Sequence, residues 1–273
     1  MKIQRLKSAA ASTALLGIIA FGMTSAASAD PIPSGWTCHG TCGSLGADGV
    51  VTLSPTGNSS YQYVSTNGSS ATAVLPSGPI GGGTETNGST LATTVFSATA
   101  GKALNFYFNY VTSDGQGFAD YAWAELFNAD NTPAALLFTA RTLVSGTIVP
   151  GSGMPTPNAT LTPSSVPIIP GLSTWSPLGG SSGTCYTGPA NGCGYTGWIG
   201  SSYTIGTTGD YYLEVGVTNW NDDAFDSGLA LDGVTVGGVP ITPPSSVPEP
   251  STLVLFGSGL LGLAGAARRK LNR

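Results

Sequence analysis

The chain has 273 residues and a formal net charge of −5, with 8% charged and 41% hydrophobic residues, 40 glycines and 19 prolines. Between Asp30 and Thr242 the only Lys and Arg are Lys102 and Arg141, against thirteen acidic residues. Such a body cannot neutralise phosphates, so nucleic acid is not an expected partner, and its abundant Gly, Ser, Thr and Asn suit an exported β-protein with a polar, uncharged surface.

In chain order, Lys2, Arg5 and Lys7 precede an apolar stretch over residues 14–23. Ala27 and Ala29 then put small residues where a signal peptidase requires them. The pattern predicts a secretory signal peptide over residues 1–29, removed by signal peptidase before Asp30. Export favours oxidised thiols. Four cysteines allow three pairings, and the local ones, Cys38 with Cys42 and Cys185 with Cys193, are favoured. Such small loops constrain little chain entropy, so each bridge is expected to pin a loop rather than hold the fold. A zinc site is the rival use of these thiols, with the lone His39 as its further ligand.

From residue 30 to 239, short runs of alternating or β-branched residues recur between Gly, Asn, Ser and Pro, without sustained helical periodicity. Strands are predicted at residues 50–53, 61–64, 72–75, 90–97, 104–111, 121–127, 134–143, 198–205, 211–218 and 229–236. Leu104, Phe106, Phe108 and Tyr110 share one face while Asn105, Tyr107 and Asn109 share the other, the period-2 signature of a half-buried strand. Leu213, Val215 and Val217 repeat it. Roughly ten strands in one domain predict an all-β fold, a single β-sandwich of jelly-roll type. Residues 145–183, with seven prolines scattered among Gly, Ser and Thr, are predicted to be a long surface loop at one end of the sandwich.

Residues 240–247 read as a stiff, Pro-rich linker. Pro248 and Pro250 then keep Glu249 extended and exposed. The apolar run 252–267 is about 16 residues, roughly 24 Å as a helix, marginal against a hydrocarbon core of ~30 Å. It is predicted to be a short transmembrane helix held at the cytoplasmic side by Arg268, Arg269 and Lys270.

Pro248-Glu249-Pro250, a short glycine-containing apolar segment and an Arg-rich end together resemble the PEP-CTERM sorting signal of Gram-negative bacteria. The same segment is also labelled an ice-binding protein C-terminal domain, a label that licenses no ice-binding claim. The resemblance implies processing by an exosortase near the Pro-Glu-Pro, transient anchoring in the inner membrane, and delivery to the cell surface or beyond. It further implies a matrix role alongside secreted exopolysaccharide. The body is similar to a PEP-CTERM family defined only by sequence, through Gly35-Trp36-Thr37-Cys38 to Val50-Val51, Phe106 to Val111, and Gly183-Thr184-Cys185 to Trp198. That likeness brings no catalytic residue with it.

No catalytic constellation is expected, and the chain is read as a non-enzyme that requires no cofactor. Gly179-Gly180-Ser181-Ser182-Gly183 fits G-x-S-x-G formally but lacks the strand before it and the helix after it. Asp114, Asp120 and Glu125, or Asp222, Asp223 and Asp226, would be the carboxylates of a glycoside hydrolase, the least favoured reading. As turn residues they are expected to be solvated. The ligand-binding alternative is calcium, shared between Asp114 and Asp120 on one loop and Asn219, Asn221, Asp222, Asp223 and Asp226 on another. For a carbohydrate-binding module, the flat apolar faces would come from Trp175, Trp198 and Tyr186, among five tryptophans and further tyrosines, with the rival role of core anchors.

Overall fold

Leu104, Phe106 and Phe108 are at most 1% exposed while Asn105 and Tyr107 are half-buried, so the alternation read from this strand is the alternation the chain adopts. The structure, a computed structural model, describes residues 32–77, 83–115, 117–143 and 145–241. The signal-peptide, transmembrane-helix and sorting-signal expectations, and residues 242–247 of the linker, lie outside the described residues.

Seventeen strands run through the described chain. They are β1 Thr37–His39, β2 Thr41–Leu45, β3 Tyr61–Ser65, β4 Glu85–Ala92, β5 Phe96–Ala98, β6 Ala103–Thr112, β7 Tyr121–Asn128 and β8 Pro133–Arg141. After these come β9 Thr147–Val149, β10 Thr160–Thr162, β11 Val166–Pro167, β12 Ile169–Pro170 and β13 Gly194–Tyr195. The last four are β14 Ile199–Thr204, β15 Gly209–Trp220, β16 Ser227–Val236 and β17 Val239–Pro240. One sheet is ordered β1-β4-β15-β7-β8 with β5 beside β15; the other is β10-β14-β6-β16-β3-β2 with β12, β13 and β17 attached. The ladders are antiparallel.

The two sheets pack face to face as a β-sandwich, in accord with the predicted fold class. Its interior takes Leu104, Phe106 and Phe108 from β6, Leu229 and Leu231 from β16, Ala122, Ala124 and Leu126 from β7, and Leu213, Val215 and Val217 from β15. Phe108 stacks on Phe138 of the opposite sheet, with centroids 3.7 Å apart and planes within 7°. Burial of each large apolar side chain of this kind contributes about 1.5–3 kcal/mol.

Both local disulfides form, Cys38–Cys42 and Cys185–Cys193. The first does more than pin a loop. It joins β1 of one sheet to β2 of the other, closing the edge of the sandwich.

Five expectations differ from the structure. Residues 50–53 are not a strand: only an isolated bridge joins Val51 to Asp48 there. Residues 72–75 are not a strand but a strap across the outer face of the β7/β15 sheet. Its backbone is held by side chains: Ala73 O accepts from Trp123 Nε1 at 2.8 Å and from Thr218 Oγ1 at 2.6 Å. Residues 90–97 divide into β4 and β5, because Thr93 Oγ1 takes the Leu213 amide and breaks the ladder. The proline-rich stretch 145–183 is not a surface decoration. Ile148, Val149, Leu161, Val166, Trp175 and Leu178 are buried, and its strands, too short for a periodic signal, pair at sheet edges where proline is tolerated. Finally, Pro240, the first residue of the expected linker, folds back in β17 against β16.

Candidate functional site

The ends of four central strands meet at one pole of the sandwich. Thr112, the last residue of β6, pairs with Ser227, the first of β16, while Thr218 near the end of β15 pairs with Tyr121 at the start of β7. The connections that carry Asp114 and Asp120, and those that carry Asp222, Asp223 and Asp226, therefore come together although about a hundred residues separate them. A third connection joins them, since the Tyr186 amide donates to Ser113 O at 2.9 Å. Cys185–Cys193 ties the base of that third loop. Gly115 is a glycine for want of room: a Cβ there would lie 2.7 Å from Asn191 O.

Asp120 is fully buried and faces the interior with Ala122 and Ala124. Its Oδ1 accepts the Trp220 amide at 2.9 Å, and its Oδ2 accepts the Ser227 hydroxyl at 2.6 Å, which lies 2.8 Å from the Thr112 hydroxyl. The Tyr110 hydroxyl donates to Asp120 O at 3.0 Å. Burial, and then the neighbouring Asp114 carboxylate, hold Asp120 well above the usual carboxylate range. Asp114 is 1% exposed and pushed up to about 8, chiefly by burial, against the Gly115 amide that binds its Oδ1 at 2.7 Å and with the Asp222 charge adding to the rise.

Asp226 stands differently. Thr66 Oγ1 donates to its Oδ1 at 3.0 Å and Ser181 Oγ to its Oδ2 at 2.8 Å, so its carboxylate is held by Thr66 and Ser181 rather than by the residues around Asp120. Asp223 and Asn221 are exposed, and Asp222 accepts the Ala224 amide in its own turn. Among the described residues no three Asp, Glu, His or Cys side chains converge on a metal position. The five aspartates read as one calcium set are thus divided: Asp114, Asp120 and Asp222 act on one another electrostatically, while Asp226 caps a loop and Asp223 faces solvent.

Glu125 also leaves the group. It alternates on β7 with Ala122, Ala124 and Leu126, which face the interior as Asp120 does, so the pleat turns it to the opposite face. There it accepts Ser77 Oγ at 2.6 Å and pairs in register with Glu214. Asp120 and Glu125 therefore do not face one another. Ser181, in the formal G-x-S-x-G, sits in a 3-10 turn over Ser176–Ser181 and is engaged with Asp226.

The aromatic reading also changes. Trp175 is fully buried, donates Nε1 to Tyr61 Oη at 2.9 Å and meets Tyr63 edge-on, so it presents no face to a sugar. Trp36, Trp123 and Trp220 are buried too. Trp198 is half-buried, donating to Thr52 O and packing edge-on to Tyr61. Tyr186 is half-buried at the acidic pole, 5.2 Å from both Phe118 and Phe225. Phe225 adopts a φ of 56°, uncommon for a bulky residue, and this turns its ring onto Tyr186. Neither phenylalanine carried a signal in the sequence, because each meets its partners only across loops.

Outside the described residues, residues 246–270 match a family model described as the PEP-CTERM protein-sorting motif. This chain carries a PEP-CTERM sorting motif. The PEP-CTERM motif includes Pro248, Glu249, Pro250, Arg268, Arg269 and Lys270, the residues singled out from the sequence. It implies an exported protein that transits a membrane and is processed by an exosortase. No curated protein and no solved structure matches the chain. Among the described residues no helix is long and apolar enough to cross a membrane.

Proposed function

We propose that this PEP-CTERM protein is a non-catalytic component of the cell surface or extracellular matrix, held briefly at the inner membrane and then delivered outward beside exopolysaccharide. The observation that carries the reading is the sorting motif over residues 246–270 behind an acidic, disulfide-bridged sandwich. A passive role is supported by the dispersal of its carboxylates, with Asp120 and Glu125 on opposite faces and Asp226 held by the Thr66 and Ser181 hydroxyls.

The trio Phe118, Tyr186 and Phe225 favours a second reading, a carbohydrate-binding module that engages sugar rings at the loop pole.

Mass spectrometry of both termini of the mature protein from its native cells tests the first reading. The expected product starts at Asp30 and ends near Pro248; an intact chain in the cytosol overturns it. Co-sedimentation with the host's exopolysaccharide separates the two. Retention that falls at least about tenfold in Tyr186→Ala supports the module, and retention unchanged by it supports the matrix component. Release of reducing sugar from that polysaccharide would refute both.

A further inference from the structure

Buried carboxylates in this protein are otherwise well supplied with donors. Asp232 receives the hydroxyls of Ser54 and Thr56, the Asn58 amide group and the Gly233 amide. Asp226 and Asp120 each accept one donor on each oxygen, which leaves every one of those oxygens a second lone pair. Asp114 Oδ2 and both polar atoms of Asn219 break the pattern: among the described residues they are buried with no hydrogen-bond partner, as are Glu125 Oε2 and Trp36 Nε1 elsewhere.

Asn219 is 0% exposed. It follows Leu213, Val215 and Val217 on the inward face of β15, which carries its carboxamide to the polar end of the interior. The next residue, Trp220, gives its amide to Asp120, so Asn219 and Asp120 lie side by side there. Asp114 reaches the same place through Thr112: the Asp114 amide donates to Thr112 Oγ1 at 3.0 Å, and that hydroxyl touches the Ser227 hydroxyl bound to Asp120. The cations of the described body do not reach it. Lys102 is exposed beside β6's other end, and Arg141 is spent on Ala119 O, Ser152 O and the Trp220 ring.

We propose that a divalent cation, calcium, binds at this pole between the carboxylates of Asp114 and Asp120 and the amide oxygen of Asn219. Two carboxylates and a neutral amide are hard oxygen donors, which suit calcium over zinc or copper. With no third carboxylate converging, the formal ligand charge is low and the site belongs to the weak class of extracellular modules, with dissociation constants of about 10⁻⁴–10⁻³ M. The site stands on Asp114, Asp120 and Asn219 alone and is independent of the sorting of the chain.

Terbium, which replaces calcium and is sensitised by nearby aromatic rings, tests the site on the full chain purified in detergent. Tyr110 and Trp220 adjoin Asp120 and serve as the antennae. Expected are saturable emission on excitation of the rings, displacement by calcium in the range of about 10⁻⁴–10⁻³ M, and a rise in melting temperature with calcium over chelator. Asp114→Asn keeps the Oδ1 bond to Gly115 and should weaken binding at least about tenfold, as should Asn219→Ala, since affinity follows ligand charge and number. Asp223→Asn, on an exposed residue outside the set, should bind as the native chain does. Absence of saturable emission overturns the proposal, as does binding equal in the native chain, Asp114→Asn and Asn219→Ala. If a variant fails to fold by circular dichroism, the native melt decides: no calcium-dependent rise refutes the site.

Discussion

Glu125 and Glu214 face each other across β7 and β15 on the strap-covered face. Burial raises both, with Ser77 opposing at Glu125, and with Thr90 and His39 opposing at Glu214; the Glu214 charge adds to the rise at Glu125. Asp114 and Asp226 are raised as well, chiefly by burial. A carboxyl whose folded pKa exceeds its unfolded value stabilises most at pH below the unfolded value, about 4. That stabilisation is lost as pH rises through the folded pKa. The calcium-free protein should therefore melt at progressively lower temperature between about pH 4 and neutrality, each group contributing less than the one-proton limit of about 1.4 kcal/mol per pH unit because solvent screens it. Glu125→Gln should flatten the slope in a pH series of thermal melts. An unchanged slope would show that the cross-strand pair does not share this burden. Trp175 belongs to the same scale: a lone aromatic in a Gly- and Pro-rich stretch looks exposed in sequence, and only its bond to Tyr61 shows it to be a core anchor.

At the scale of elements, the long central strands were legible. Those at residues 104–111, 121–127, 211–218 and 229–236 each lie within an observed strand, since one buried face imposes a period of two on the residues themselves. The two- and three-residue strands between β8 and β14 were not, because so few residues hold no period, and proline there signals a loop and an edge strand equally. The Cys38–Cys42 bridge spans too little chain to constrain the unfolded state strongly, yet it crosses between sheets at their edge. Its replacement by two serines should cost about 2 kcal/mol on the loop-entropy model. Urea denaturation of the variant beside the native chain would measure this, and a cost near zero would mean the edge is held by the β1–β4 and β2–β3 ladders alone.

For the whole molecule, connectivity dominates. β16 is the last long strand in the chain yet it lies centrally in its sheet, between β6 and β3, and pairs Tyr63 with Ala230. A chain truncated before Ser227 leaves β3 and β6 without that partner and also removes the hydroxyl that binds Asp120. It should show no cooperative unfolding transition, whereas truncation at Thr242 should preserve one. A cooperative melt in the shorter chain would place the stability elsewhere, in the β7/β15 sheet.

By itself the sequence determined what depends on residue type and short spacing: an acidic all-β body, local cysteine pairs and a tripartite sorting signal. Each is encoded within a few consecutive residues, so no partner segment is needed to read it. The tertiary structure alone decided which carboxylates meet. Asp114 and Asn219 are a hundred residues apart, and they converge because β6 and β16, and β7 and β15, bring their ends to one pole. Asp120 and Glu125, nearly adjacent in sequence, part because the pleat of β7 turns Glu125 away from the interior, where Asp120 lies just before the strand.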